Sequence, residues 1–274
     1  MQCKTDGLVI REINVGESDR IVHILTREKG VVRASARGAR KVRSRISSAA
    51  QMLTHSDFTL FRGRELYIID EAAPLHFFLG VRRDLDRLAL AQYFAQLMEN
   101  LAPQEDEAEI YLRLILNALY LIENEKRPPQ AVKAAFELRL LTLAGYMPDL
   151  VACRRCGAYE AGRMWFDPVE GNLICDRCAP EEGVGADGES RPLSPGALAA
   201  MRHAVYVDFS RLFSFELPAS PLREFGQAAE RYVCCRLERS FPTLEFYHEI
   251  HRRPPPAGIG RPAGKVHPDD HSTP

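Results

Sequence analysis

Two cysteine pairs, Cys153-Arg-Arg-Cys156 and Cys175-Asp-Arg-Cys178, lie eighteen residues apart and constrain this chain more than any other feature. Four thiolates so spaced can stand at the corners of a tetrahedron around one ion, the geometry of a structural zinc. Each pair closes a tight turn that aims both sulfurs at one point. Arg163-Met-Trp-Phe166 and Asn172-Leu-Ile174 read as short strands that return the second pair to the first. Gly157 and Gly171 suit the sharp turns beside the pairs. The competing reading, two redox-active or disulfide-forming pairs, needs two separate devices where one zinc ion explains all four cysteines. A four-thiolate shell leaves no open position for substrate, so the expected metal is structural and chemistry must be sought elsewhere.

A chain of 274 residues predicts about two domains with a sizeable core. The net charge is −1, but residues 1–80 hold thirteen Lys and Arg against nine Asp and Glu, while the remainder is acidic. That asymmetry points to an anionic partner, such as nucleic acid, at the N-terminal end. The opening Met-Gln-Cys-Lys-Thr-Asp lacks a basic stretch followed by an apolar run, so no secretory signal is expected. The most apolar stretch, Ile110 to Ile122, is interrupted by Arg113 and Asn117 and is too short to span a bilayer. Zinc thiolates in such a chain imply a reducing, cytoplasmic setting without a membrane partner.

The first 79 residues read as five short strands joined by hairpin turns. Gly7–Asn14, Arg20–Thr26 and Val31–Arg37 come first, with Arg27-Glu-Lys-Gly30 turning the second into the third. Leu53–Phe61 and Glu65–Ala72 follow around Arg62-Gly-Arg64. This pattern predicts a small closed barrel of the OB-fold type. In the third strand Val32, Ala34 and Ala36 alternate with Arg33, Ser35 and Arg37, so the cations face away from the barrel core. From Arg27 to Arg45 there are eight cations and one acid. A charge run is often only a solvated loop, but Arg33 and Arg37 on a strand face can track phosphates while the loop Gly38–Arg45 folds over them. Phe58, Phe61 and Tyr67 are the local aromatics, and each is expected in the core, which favours sequence-tolerant backbone binding.

The helical domain is expected from residue 80, with the period becoming helical from residue 84. Asp84 caps a helix bearing Leu90, Phe94, Leu97 and Leu101 on one face and ending before Pro103. Glu105-Asp-Glu107 opens a second helix whose run Ile110–Ile122, apolar nearly all round, is expected to be the central one. A third spans about Gln130 to Ala144. Residues 80–150 and 182–250 are thus two parts of one helical domain, with the zinc module, 151–181, inserted between them. Helices resume at Ser194-Pro195 and Ser220-Pro221, each read as a cap followed by proline at the first helical position. The tail, 251–274, is Pro-rich and expected to be disordered. Its Gly258–Lys265 has the wrong spacing for a phosphate loop, and His248-Glu-Ile-His251 lacks the zincin spacing. Cys234 and Cys235 fit a helical core, and Cys3 has no evident partner. With no nucleotide loop and no acidic metal cluster, the sequence argues against an enzyme.

The order of parts resembles a known family. Gly7-Leu-Val-Ile10, Asp19-Arg-Ile-Val-His-Ile-Leu-Thr26, Lys29-Gly30, Arg37-Gly-Ala-Arg40-Lys41 and Ser44-Arg45 are carriers of the likeness. So are Phe136-Glu-Leu-Arg-Leu-Leu141 and Gly145-Tyr-Met-Pro148, which lead into Cys153 and Cys156. Over residues 5–245 the chain resembles the bacterial recombination-mediator and DNA-repair family RecO. One departure is Glu170-Gly171, where the family commonly has Gly-Gly. The resemblance implies an α+β protein with an N-terminal OB-fold, a helical domain and an inserted zinc site held by Cys153, Cys156, Cys175 and Cys178. It implies a non-enzymatic, nucleoid-associated mediator that binds single- and double-stranded DNA and anneals complementary strands without ATP. With RecR, such a protein loads RecA onto DNA coated by single-stranded DNA-binding protein. The DNA-contact candidates carried over are Arg33, Arg37, Arg40 and Lys41, with Arg43 and Arg45 as additions. An RNA-binding zinc-ribbon component of a transcription or translation assembly is the alternative.

Overall fold

The structure is a computed structural model that describes residues 2–185 and 189–252. Its N-terminal part is a closed barrel of β1 (Gln2–Val15), β2 (Asp19–Thr26), β3 (Gly30–Ala36), β4 (His55–Arg62) and β5 (Tyr67–His76), in the order β1-β2-β3-β5-β4. One long strand, β1, serves two neighbours. Its first half pairs with β4 from Gln2 opposite Phe61 to Leu8 opposite His55. Its second half pairs with β2 from Gly7 opposite Thr26 to Val15 opposite Asp19, with a bulge between Val9 and Arg11. Gly7 lies in both ladders, and a Cβ there would stand 2.7 Å from Ile24 Cγ2 and 2.8 Å from the Leu25 carbonyl oxygen. Val9, Val22, Ile24, Val32, Ala34, Phe58, Leu60 and Ile69 fill the interior. The alternation expected for β3 is present: Val32, Ala34 and Ala36 are buried, and Arg33 is exposed.

The barrel is followed by α1 (Leu79–Arg82), α2 (Leu85–Leu101), α3 (Glu109–Glu123) and α4 (Pro129–Leu143). After the cysteine module come α5 (Pro195–Tyr206), α6 (Ala219–Leu237) and α7 (Pro242–Arg252). The first half of the helical domain packs directly on the barrel: Leu8, Ile10, Leu25 and Val31 belong to the same apolar cluster as α2, α3 and α4. The segment between α2 and α3 completes this contact. Val31 N–H donates to the Pro103 carbonyl at 2.8 Å, and Gly30 forms a bridge with Gln104. Gly30 has φ +58°, and a Cβ there would meet the Pro103 oxygen at 2.1 Å.

Several helix expectations need correction. Asp84 caps α2 as expected, its carboxylate accepting from Arg87 N–H, and Ser194 caps α5. The second helix begins at Glu109, because Glu105 adopts φ +57° and turns the chain before it. It is also not the central helix, since Ile110, Arg113, Asn117 and Tyr120 form an exposed stripe along α3. That role falls to α4, in which every residue from Ala131 to Leu141 is buried, including Lys133, Glu137 and Arg139. Ser220 lies inside α6, whose N-cap position is Pro218. Phe61 is exposed, while Phe58 and Tyr67 are buried. The tail beyond Arg252, with Gly258–Lys265, lies outside the described residues.

Candidate metal centre and nucleic-acid face

The cysteine module is a small sheet, β7-β6-β8, of β6 (Met164–Asp167), β7 (Asn172–Cys175) and β8 (Arg191–Leu193). The β6–β7 hairpin turns on Asp167, whose Oδ1 accepts from Val169 and Glu170 N–H at 2.9 and 3.1 Å. Gly171 closes it with φ +72°, so the turn is made with Glu170 in place of a second glycine. At the first pair Gly157, φ +71°, donates to the Cys153 carbonyl at 2.9 Å. Cys178 N–H donates to the Cys175 carbonyl at 3.0 Å, which tightens the second. Backbone pairing of Cys153 with Leu173, and of Arg154 N–H with the Leu173 carbonyl, brings the two turns together.

All four sulfurs lie within 4.8 Å of one another, and Cys156 Sγ and Cys175 Sγ are 3.6 Å apart. Sulfurs bound to one zinc at about 2.3 Å stand roughly 3.8 Å apart in a tetrahedron. Burial opposes ionisation of Cys153, yet backbone N–H groups of Cys156, Cys175 and Arg155 outweigh it and bring this thiol down to about 6. Cys178, hydrogen-bonded to Cys175 and partly desolvated, is pushed up to about 12. The cluster without metal thus stabilises some thiolates at the expense of others, a conflict that a divalent cation at their centre would relieve. The donor set and its spacing fit a metal ion.

The module is seated on α6. Phe166 meets Tyr232 edge-on with ring centroids 5.4 Å apart. Tyr232 Oη donates to the Tyr146 carbonyl at 3.1 Å and covers Gly171, where a Cβ would stand 2.7 Å from that oxygen. The Gly171 carbonyl accepts from Asp149 N–H at 2.8 Å.

The basic run divides into committed and uncommitted cations. Arg27 grips Asp6 through Nε and Nη2 at 2.7 and 2.9 Å and reaches Glu109 on α3 at 2.9 Å, so it joins the barrel to the helices. Arg40 donates to the Gly16 carbonyl at 2.6 Å and packs on the β1–β2 turn. Arg33, Arg37, Lys41 and Arg43 are exposed, and their side chains make no hydrogen bond or ion pair among the described residues. Arg33 projects from β3, and Arg37 is the first turn residue after it. Asp19 shapes the loop that follows. Its Oδ1 accepts from Gly38 N–H at 2.8 Å, which with Ser18 and nearby Lys41 and Arg37 holds its carboxyl below the usual range. Arg45 turns elsewhere, to a groove of about 940 Å³ shared with Lys4, Asp57, Asp70 and Glu71. Of the six candidate cations, Arg40 is therefore held on the β1–β2 turn and Arg45 lines an acidic groove, which leaves Arg33, Arg37, Lys41 and Arg43 uncommitted.

Sequence reasoning did not foresee the buried polar cluster on α4. Lys133 Nζ lies 2.8 Å from Glu137 and 2.7 Å from Glu230 on α6, and Tyr93 Oη donates to Glu137 at 2.7 Å. No spacing in the sequence joins residue 133 to residue 230, so only the fold could reveal it.

Comparison with known proteins agrees with this division of the chain. A model described as Recombination protein O N terminal matches residues 1–78, and one described as Recombination protein O C terminal matches residues 82–245. The gap between them falls where the barrel gives way to helices. DNA repair protein RecO of Acetivibrio thermocellus is 34% identical over 249 residues, covering 91% of this chain and 97% of that protein. The protein of the same name from Symbiobacterium thermophilum is 37% identical over 244 residues, covering 88% and 94%. That of Roseiflexus sp. is 34% identical over 268 residues, covering 95% and 91%. With both halves matched and relatives of this identity along nearly the whole length, the chain belongs to the RecO family.

Proposed function

We propose that this protein is a non-enzymatic mediator of DNA repair and homologous recombination. It binds single- and double-stranded DNA on its barrel, anneals complementary strands without ATP and, with RecR, helps load RecA onto DNA coated by single-stranded DNA-binding protein. The observation that carries the reading is the set of uncommitted cations, Arg33 in the middle of β3 and Arg37, Lys41 and Arg43 in the turn and loop after it. Cations held in no contact ion pair can neutralise phosphates at little internal cost, whereas paired ones must first give up an ion pair. The names of the relatives, all DNA repair proteins, support the same reading. Annealing follows physically: cations on a strand and an adjoining loop screen phosphate repulsion while the bases stay free to pair.

The four cysteines are proposed to hold a structural zinc, which when bound cross-links the two turns of the module. This chain's own contribution is to seat that module on α6 through Phe166, Gly171 and Tyr232. Binding to single-stranded, duplex and protein-coated DNA across a salt series tests the proposal. A mediator anneals the coated strand as well as the naked one. Annealing confined to naked strands, or cleavage of DNA with magnesium or manganese, refutes it.

A further inference from the structure

The outer face of the barrel carries a second set of basic groups that the linear sequence scatters over more than twenty residues. The bulge between Val9 and Arg11 shifts the alternation of β1, and the ladders then align Arg11 with His23 and His23 with Arg33. These three residues form one row across β1, β2 and β3. On one side of it Leu25 and Val31 are buried under the helical domain, and on the other Ile13 and Ile21 reach solvent. The row thus runs along the rim of the covered sheet, where a nucleic-acid strand lying on the open part would meet it.

The last turn of α2 places Glu99 against this row. Its Oε1 lies 3.0 Å from Arg11 Nη1 and 2.7 Å from His23 Nδ1, so one oxygen serves two donors. Arg33 has no ion-pair partner among the described residues. His23 Nε2 is buried without a hydrogen-bond partner, although the ring keeps 12% of its side-chain exposure. Burial first, and then the charges of Arg11 and Arg33, press the imidazole toward its neutral form against the pull of Glu99. Arg11 and His23 therefore share a single carboxylate while Arg33 beside them has none, so the row has room for a further anion.

We infer that Arg11, His23 and Arg33 form a phosphodiester-binding row, and that Glu99 is a resident carboxylate which a nucleic-acid phosphate displaces. The inference rests on the reading that DNA lies on the barrel, and adds where along the sheet a phosphate is held and what competes for that place. Because Glu99 belongs to α2, displacing it weakens a contact between the barrel and the helices. Binding and interdomain contact are then linked reciprocally.

The test is a salt series of single-stranded DNA binding by the full-length protein and four variants. Glu99→Gln keeps size and hydrogen bonding but removes the competing charge. It should raise affinity about fivefold, the factor that one unit-charge repulsion at about 4 Å in water represents. Arg11→Gln should weaken binding and flatten the slope of log affinity against log salt by about 0.7, one phosphate contact on a single strand. Glu71→Gln removes the same charge from the opposite, acidic groove and should change affinity much less than Glu99→Gln. If it matches Glu99→Gln, a general charge effect replaces the resident-carboxylate idea. The double variant Arg33→Gln/Arg37→Gln separates the two levels. If it loses affinity while Glu99→Gln and Arg11→Gln behave as wild type, the row is refuted and DNA binding on the barrel stands. If it too keeps wild-type affinity and slope, the barrel reading falls and the row with it. Circular dichroism confirms that each variant is folded.

Discussion

Single residues carry the most direct expectations. Cys156→Ala should abolish stoichiometric zinc in elemental analysis of protein prepared under reducing conditions. It should also unfold the module, because a structural zinc contributes on the order of 10 kcal/mol of local folding energy. Metal binding should release protons, since Cys178 holds its own to about 12 in the cluster without metal. On the barrel, removing Arg33 and Arg37 together should weaken binding to any DNA sequence and flatten the salt slope by roughly 1.4 on single strands. Both side chains are solvent-exposed, so the thermal midpoint should barely move. Glu230 supplies a pH expectation. Burial works against its charge, but the hydrogen bond from His248 and the charge of Lys133 prevail and bring its carboxyl down to about 2. A folded value below the ordinary 4.5 stabilises the protein fully above pH 4.5, and that contribution disappears as pH falls toward 2. Glu230→Gln should therefore cost about 3 kcal/mol at pH 7 and much less near pH 2, read from urea midpoints at several pH values.

At the scale of elements, the barrel strands were readable because each side is marked. Val32, Ala34 and Ala36 are small or β-branched and face inward, while Arg33 and Ser35 face outward, and hairpin glycines mark the turns. The cysteine module was readable from spacing alone. The helices were less so, and α4 shows why. Its eleven consecutive buried residues include Lys133, Glu137 and Arg139, which on a hydropathy reading belong at the surface. Each meets a group far along the chain: Lys133 meets Glu230, Glu137 accepts from Tyr93 through one oxygen, and Arg139 donates to the Ala204 and Val207 carbonyls at the end of α5. Such pairing lets a charged helix become the hub, while the more apolar α3 keeps an open face with Ile110 and Tyr120 exposed. The strand β8, only three residues with a central proline, gave no sequence signal. The Arg11–His23–Arg33 row was hidden for a related reason, since a bulge and two registers had to be known before the residues could be aligned.

The whole molecule is held together across the boundary that the sequence suggested at residue 79. Leu8, Ile10, Leu25 and Val31 share one apolar cluster with α2, α3 and α4, and Arg27 bridges Asp6 to Glu109. Gly30→Ala tests how much this junction matters. Its Cβ would stand 2.1 Å from the Pro103 oxygen at a φ of +58°, so the linker must back away. Overpacking and positive φ together should cost about 3 kcal/mol, seen as a drop in the thermal midpoint of roughly 6–12 °C.

The short β3–β5 pairing has a consequence for biosynthesis. Only Ala34 and Ser35 of β3 pair with β5, and the neighbouring edge at Gly30 and Val31 is covered by Pro103 and Gln104. A chain that has emerged from the ribosome only as far as His76 can close its barrel, yet it still presents an unpaired strand edge beside an uncovered apolar strip. Such an edge invites pairing with another nascent chain. The hazard ends once the segment carrying Pro103 and Glu109 has followed. A fragment stopping at residue 79 should aggregate on expression, whereas one extended through α3 should remain far more soluble, a difference that sedimentation of freshly translated fragments measures directly.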